Sequence, residues 1–193
     1  MISYPEKRFK AVTIGTSAGG VQLLPTILEP LPENFPIPLI IIQHMKEGGG
    51  EFMVEYLDGK CRLKVKEAIQ LEKVVAGHVY LAPADYHLYI DDIFNFSLSV
   101  DAKVRFSRPS IDVFFEAASK VFTTGLIGII LTGANNDGTD GMRQIKKRGG
   151  VTIVQNPDFA EVRKMPESVI VEGVADYILR PSEIAPFLIK MVL

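Results

Sequence analysis

The chain has 193 residues, with 21 Lys and Arg against 23 Asp and Glu, for a formal net charge of −2. That length fits one ordinary α/β domain, at roughly 100–200 residues per domain. The charge balance excludes a broadly basic nucleic-acid binder and an acidic disordered chain. A 47% hydrophobic and 23% charged composition is that of a globular domain, and the lone Cys61 can build neither an intrachain disulfide nor a zinc cluster.

The start, Met1 to Lys10, is polar and carries Glu6, Lys7, Arg8 and Lys10 rather than an apolar signal core. The longest apolar run, Ile37 to Ile42, contains Pro38 and falls far short of the roughly 20 residues a membrane span requires. The expectation is a cytoplasmic protein with no membrane insertion.

In chain order, Ala11–Gly15 reads as a first strand, followed by a glycine-rich turn and a helix to about Leu28 that must accommodate Pro25. Leu39–Gln43 is an apolar run of the kind buried on both faces of a parallel sheet. Gly48-Gly49-Gly50 opens a connection into a short helix near Phe52–Tyr56. Alternation from Arg62 to Lys66 predicts a half-exposed strand, and Val79–Ala82 another. His87–Ile90 and Asn95–Val100 read as a peripheral antiparallel hairpin turning at Asp91-Asp92. Ile111, Phe114, Phe115, Ala118, Val121 and Phe122 line one helix face within 109–122. Leu126–Leu131 is a buried strand, and Gly133–Gly141 a turn into a helix ending at Lys146-Lys147-Arg148-Gly149. Val151–Val154 and Ala175–Leu179 complete the strands, and Ser182 is the expected N-cap of a last helix bearing Ile184, Phe187, Leu188 and Met191. The alternation predicts one α/β domain over 1–193: a doubly wound, mainly parallel sheet flanked by helices, with the hairpin at its periphery.

Three loops following strands carry the chemistry. Gly15-Thr16-Ser17-Ala18-Gly19-Gly20 lacks the third-position glycine of a dinucleotide fingerprint and the lysine of a P-loop, because Ser17 and Val21 stand there. It does contain G-x-S-x-G, in which a tight strand-to-helix turn lifts a serine hydroxyl above the sheet edge. A frequent glycine-rich turn with a capping serine is the other reading of the same residues. A serine nucleophile needs a base. His44 directly follows Leu39–Gln43 and shares the carboxyl edge with Ser17, whereas His78 precedes its strand and His87 belongs to the hairpin. The third loop, Leu131 to Gly141, offers Asp137. There Asp137 either orients His44, or Asp137 or Thr139 caps the next helix; the order of acids is not that of a calcium loop. Ligands in open α/β sheets bind beyond the carboxyl ends of the strands, so Ser17, His44 and Asp137 together read as a serine hydrolase site. Their order in the chain differs from that of the α/β-hydrolases.

GTSAGG at 15–20, QHM at 43–45, GHVYLAPADYH at 77–87, RPSID at 108–112, LTGANNDGTDGM at 131–142, QNP at 155–157 and MP at 165–166 span nearly the whole chain. In these stretches the chain resembles the catalytic domain of the chemotaxis protein-glutamate methylesterases, the CheB family. The resemblance implies hydrolysis of glutamyl methyl esters on the cytoplasmic helices of methylated chemoreceptors, with deamidation of receptor glutamines as a companion reaction. It implies a Ser17-His44-Asp137 triad and no metal or organic cofactor. It also places oxyanion donors near Ala18 and Ala134, where family members commonly have Thr and Met. Members commonly carry an N-terminal receiver domain, and only residues 1–10 precede the first strand here. The expectation is therefore a stand-alone or excised catalytic domain, or one regulated by a separate chain. Two rival readings are a serine hydrolase for another ester and a receptor-binding module without turnover.

Overall fold

In the computed structural model, which describes residues 9–45 and 48–193, the strands form the predicted parallel sheet. The polar start, residues 1–8, lies outside the described residues. The strands are β1 (Ala11–Thr16), β2 (Leu39–Gln43), β3 (Lys64–Glu67), β4 (His78–Leu81), β7 (Leu126–Ile130), β8 (Val151–Gln155) and β9 (Tyr177–Leu179). They lie in the order β3-β4-β2-β1-β7-β8-β9, and every pairing is parallel. The remaining strands, β5 (His87–Ile90) and β6 (Phe96–Ser99), pair antiparallel as a separate hairpin. The helices are α1 (Gly20–Leu28), α2 (Gly50–Asp58), α3 (Ile111–Phe122), α4 (Thr139–Lys147), α5 (Lys164–Val171) and α6 (Pro181–Val192).

Parallel strands covered on both faces are apolar throughout, and β1, β2, β7 and β8 are buried along their full length. Alternate side chains feed two cores. Val12, Ile14, Leu39, Ile41 and Ile129 pack with Leu24 and Leu28 of α1 and Ile184 and Leu188 of α6. Ile40, Ile42, Leu126 and Ile130 pack with Phe114, Phe115 and Ala118 of α3, and with Leu88 and Phe96 of the hairpin. Each fully buried aliphatic or aromatic side chain contributes about 1.5–3 kcal/mol. Cys61 is half-buried against the first core, where burial pushes its thiol up to about 11, so it stays an unreactive thiol at neutral pH. No helix among the described residues is long and apolar enough to cross a membrane.

The structure moves two helix starts. The N-cap of α6 is Arg180, not Ser182, and the Glu183 carboxylate accepts the Arg180 N–H at 2.8 Å. Pro181 is the cause: it has no N–H and its fixed φ suits the first helical position, so the cap falls on the residue before it. The N-cap of α4 is Gly138 at φ 98°, and neither Asp137 nor Thr139 caps it with a side chain. Asp137 has a different task.

The fold positions the site through β1. The chain leaves β1 to build β2 on one side and returns to β7 on the other. The crevice at this reversal of strand order is where open α/β sheets bind ligands. The loops after β2, β1 and β7 meet there.

Candidate active site

Ser17 follows β1 directly, and its backbone is tied down from both sides. Its N–H donates to Thr132 O at 3.0 Å, and its carbonyl accepts from Gly20 N at 3.0 Å and Gln43 Nε2 at 2.9 Å. Gln43 Nε2 also donates to His44 O at 2.9 Å, so one buried amide joins the ends of β1 and β2. Gly19 takes the left-handed turn at φ 81°, and a side chain on Gly20 would meet Gln43 Oε1 and Thr16 Oγ1 at 2.4 Å. The serine is half-buried, and its hydroxyl makes no hydrogen bond among the described residues.

His44 is fixed to the same edge by its N–H, which donates to Thr16 O at 3.1 Å. Its Nε2 lies 2.8 Å from Asp137 Oδ2, and its Nδ1 is 3.4 Å from Ser107 Oγ. The structure therefore joins His44 to Asp137 directly and sets Ser17 on the adjoining strand end. Thr16 and Gln43 are register partners, and Ser17 and His44 are the first residues after the two strands.

Asp137 is fully buried, yet no donor around it is wasted. Oδ1 accepts from Ser110 Oγ and Asp112 N, both at 3.0 Å, and Oδ2 accepts from Ile111 N at 2.9 Å in addition to His44. The carboxylate thus sits on the N-terminus of α3, where free N–H groups and the helix dipole favour negative charge. Burial raises its pKa, but the His44 hydrogen bond and the Asp112 and Ile111 N–H groups outweigh that and hold it below the usual carboxylate range. Asp137 is ionised at neutral pH.

The relation is reciprocal. Asp112, in the first turn of α3, turns its Oδ1 to Gly138 N at 2.9 Å and Gly141 N at 2.8 Å, the N-terminus of α4. Its Oδ2 accepts from Arg105 Nε at 3.0 Å. Each helix start is capped by a carboxylate from the start of the other. Burial pushes the Asp112 carboxyl up to about 6, against the Gly141 N–H and Arg105, and the nearby Asp137 charge adds to the rise. Arg105 continues outward to Asn136 Oδ1 and Asp140.

Behind this clasp stands His87. It is buried rather than exposed on the hairpin: its Nδ1 accepts from Ser110 N at 3.2 Å and its Nε2 faces Ala102 O at 3.1 Å. Those partners specify the neutral tautomer with hydrogen on Nε2. Sequence reasoning singled out Ser17, His44 and Asp137 but gave no role to Gln43, Ser107, Ser110 or Asp112. The last two lie in the RPSID stretch at 108–112, which is the signal that marks them. The two positions expected to supply oxyanion donors, Ala18 and Ala134, are exposed. Their N–H groups donate to no partner among the described residues. Thr132 Oγ1 holds the Ala18 carbonyl at 2.9 Å and accepts Val162 N at 2.9 Å, so the loops after β1, β7 and β8 share one hydroxyl.

A cavity of about 520 Å3 opens beside His44, with Met45, Asp85, Lys103, Phe106, Ser107 and Arg108 in its walls. A buried carboxylate on one imidazole nitrogen, a serine hydroxyl at the adjoining strand end and an open cavity together suit proton transfer to and from a serine nucleophile.

Residues 12–188 match the family model described as CheB methylesterase. A Leptospira interrogans protein provisionally named a protein-glutamate methylesterase/protein-glutamine glutaminase is 45% identical over 183 residues, covering 95% of each chain. The Thermotoga maritima protein-glutamate methylesterase/protein-glutamine glutaminase is 38% identical, with 99% of this chain matching 56% of that protein. The crystal structure of the Thermotoga maritima CheB methylesterase catalytic domain superposes with a TM-score of 0.93 at 38% identity, over 95% of this chain and 99% of that one.

Proposed function

Because the chain belongs to the CheB methylesterase family, we propose that it hydrolyses glutamyl methyl esters on the cytoplasmic domain of methylated chemoreceptors, through Ser17, His44 and Asp137, as one catalytic domain over 1–193. The observation that carries this reading is the His44–Asp137 pair: a buried, multiply hydrogen-bonded carboxylate 2.8 Å from Nε2, at the strand end beside Ser17.

Nε2 carries a hydrogen and donates it to Asp137, which leaves the lone pair on Nδ1. Ser17 Oγ attacks the ester carbonyl and His44 Nδ1 takes its proton, while Asp137 stabilises the imidazolium. The tetrahedral intermediate places its oxyanion toward the free N–H groups of Ala18 and Ala134; one such donor is worth about 10²–10³ in rate. His44 returns the proton to the departing methanol. Water then attacks the acyl-enzyme with His44 again as base, releasing the glutamate carboxylate and restoring Ser17. The same cycle on a glutamine amide expels ammonia, which accounts for the second activity named in the relatives. The residues of the site need no metal or organic cofactor for these steps.

The test is methanol release from methylated receptor, together with fluorophosphonate labelling. Wild-type protein should release methanol and label at Ser17. Ser17→Ala should lose about 10⁴-fold or more in kcat/KM, and His44→Ala should lose the label. Labelling with turnover of simple esters alone would favour another ester as substrate. Receptor binding without label or turnover would favour a binding module.

A further inference from the structure

The wall of the cavity next to His44 is an unusual piece of chain. Val104 and Ser107 exchange both backbone hydrogen bonds, Val104 N to Ser107 O at 3.1 Å and Ser107 N to Val104 O at 2.8 Å. They close a two-residue hairpin on Arg105 and Phe106, whose φ angles are 50° and 64°. Such a turn is normally given to Asn-Gly or Gly-Gly, because side chains resist positive φ. Here two large residues hold it, and their neighbours explain how. Arg105 is anchored to Asp112, Asn136 and Asp140. Arg108 is anchored to Asp85 and to the carbonyls of Val100 and Asp101. The turn is braced from both sides.

What the brace presents is Phe106, 98% exposed at the rim of the cavity and contributing nothing to either core. An aromatic side chain kept in water on a strained, doubly anchored turn has no folding rationale, and such strain gathers where a ligand is held. Next to it is a cation of a different kind from its neighbours. Arg105 and Arg108 are paired with carboxylates, whereas Lys103 is exposed and makes no ion pair among the described residues. Beside the mutually paired Asp85 and Arg108, the rim therefore offers an exposed aromatic anchor and one uncompensated positive charge. Ser107 of the same turn touches His44 Nδ1 at 3.4 Å, so whatever rests on the rim lies next to the imidazole.

We infer that the turn at residues 103–107 docks the polypeptide that carries the ester. Phe106 packs on an apolar side chain of the substrate segment, and Lys103 pairs with a carboxylate beside the scissile glutamyl ester. The partner this surface fits is an acidic polypeptide with interspersed apolar residues. Every completed hydrolysis adds a carboxylate to such a segment, so a lysine at the rim draws the enzyme to segments already partly processed. This rests on the hydrolase reading above, and the experiment separates the two.

Binding is measured without turnover, on full-length Ser17→Ala protein, by fluorescence anisotropy. The probe is a fluorescein-labelled peptide with one glutamyl γ-methyl ester flanked by Glu and Leu. Phe106→Ala and Lys103→Glu, each added to Ser17→Ala, should raise Kd fivefold or more. Exchanging the flanking Glu for Lys in the peptide should restore binding to the Lys103→Glu protein. In the Ser17-containing protein, the ratio of kcat/KM for this peptide to kcat/KM for p-nitrophenyl acetate should fall by about tenfold in each variant. Kd values and ratios unchanged within twofold, or no binding when Phe106 and Lys103 are both present, would overturn the docking role. Absence of turnover by the Ser17-containing protein would overturn the hydrolase reading and leave the binding result standing on its own.

Discussion

Replacing Asp112 by Asn removes one negative charge from the clasp while keeping an oxygen for Gly138 N and Gly141 N. Asp112 is 9% exposed, and burial moves its carboxyl from 3.8 to about 6. That difference corresponds to about 3 kcal/mol between protonation states. The folded chain holds this proton more tightly than the unfolded chain does. Stability from this group is therefore greatest below about pH 4, falls as pH rises, and is fully lost above about pH 6. Asn has no proton to lose, so the variant lacks this dependence. The expected difference, wild-type minus Asp112→Asn, rises on acidification from pH 8 by about 1 kcal/mol at pH 5 and by about 2 kcal/mol at pH 4. Urea unfolding of both proteins across that range, read by far-UV circular dichroism, measures it. Asp112→Ala, which removes the acceptor as well, leaves two helix N–H groups unpaired and should lie below Asp112→Asn by about 2–5 kcal/mol. Parallel stability curves from pH 4.5 to 8 would refute the reasoning. They would mean that Gly138, Gly141 and Arg105 hold Asp112 ionised down to its ordinary value.

Asp137→Asn keeps the shape but puts an NH2 group where four donors converge; methanol release should fall about 10⁴-fold, measured with the fold verified by circular dichroism. Gly20→Ala places a methyl 2.4 Å from Gln43 Oε1 and Thr16 Oγ1; it should cost about 1–3 kcal/mol in urea unfolding and slow fluorophosphonate labelling of Ser17. His87→Leu removes the acceptor of Ser110 N at the head of α3 and should cost about 1–3 kcal/mol in thermal unfolding.

The parallel sheet was legible because each of its central strands is a continuous apolar run closed by a small or polar residue: Gln43 after Ile42, Thr132 after Leu131. That pattern put Ser17 and His44 at the same edge, and the structure makes their strands register partners. The clasp was not legible. Asp112 looks like any acid in a first helical turn, and only the crossing of α3 on α4 shows that its carboxylate serves the other helix. Asp137 reads from the sequence either as the partner of His44 or as a cap for the helix it precedes; it meets His44 and also caps α3, 25 residues earlier, through Asp112 N. The 104–107 turn escaped for a different reason. Turn signals are Gly, Asn, Asp and Pro, and this one is built from Arg and Phe, held by ion pairs that no local pattern encodes.

The clasp bears directly on which imidazole nitrogen does the work. Both oxygens of Asp137 are occupied, Oδ1 by Ser110 Oγ and Asp112 N, Oδ2 by Ile111 N and His44 Nε2. A carboxylate fastened at four points cannot rotate to follow the ring, so the ring must hold its place relative to α3. An ionised acceptor on Nε2 keeps hydrogen there and leaves Nδ1 as the basic nitrogen on the proposed path, the reverse of the chymotrypsin-type arrangement in which Nε2 is the base. Nδ1 meets Ser107 Oγ at 3.4 Å, beyond the usual O–H···N range, so in the proposed mechanism this weak contact would yield to Ser17 at little cost. Arg105 ties the two events together, since one guanidinium braces the turn that carries Ser107 and the carboxylate of Asp112 that caps the Asp137 loop. Loss of that brace would loosen the wall of the cavity and the seat of the imidazole at once.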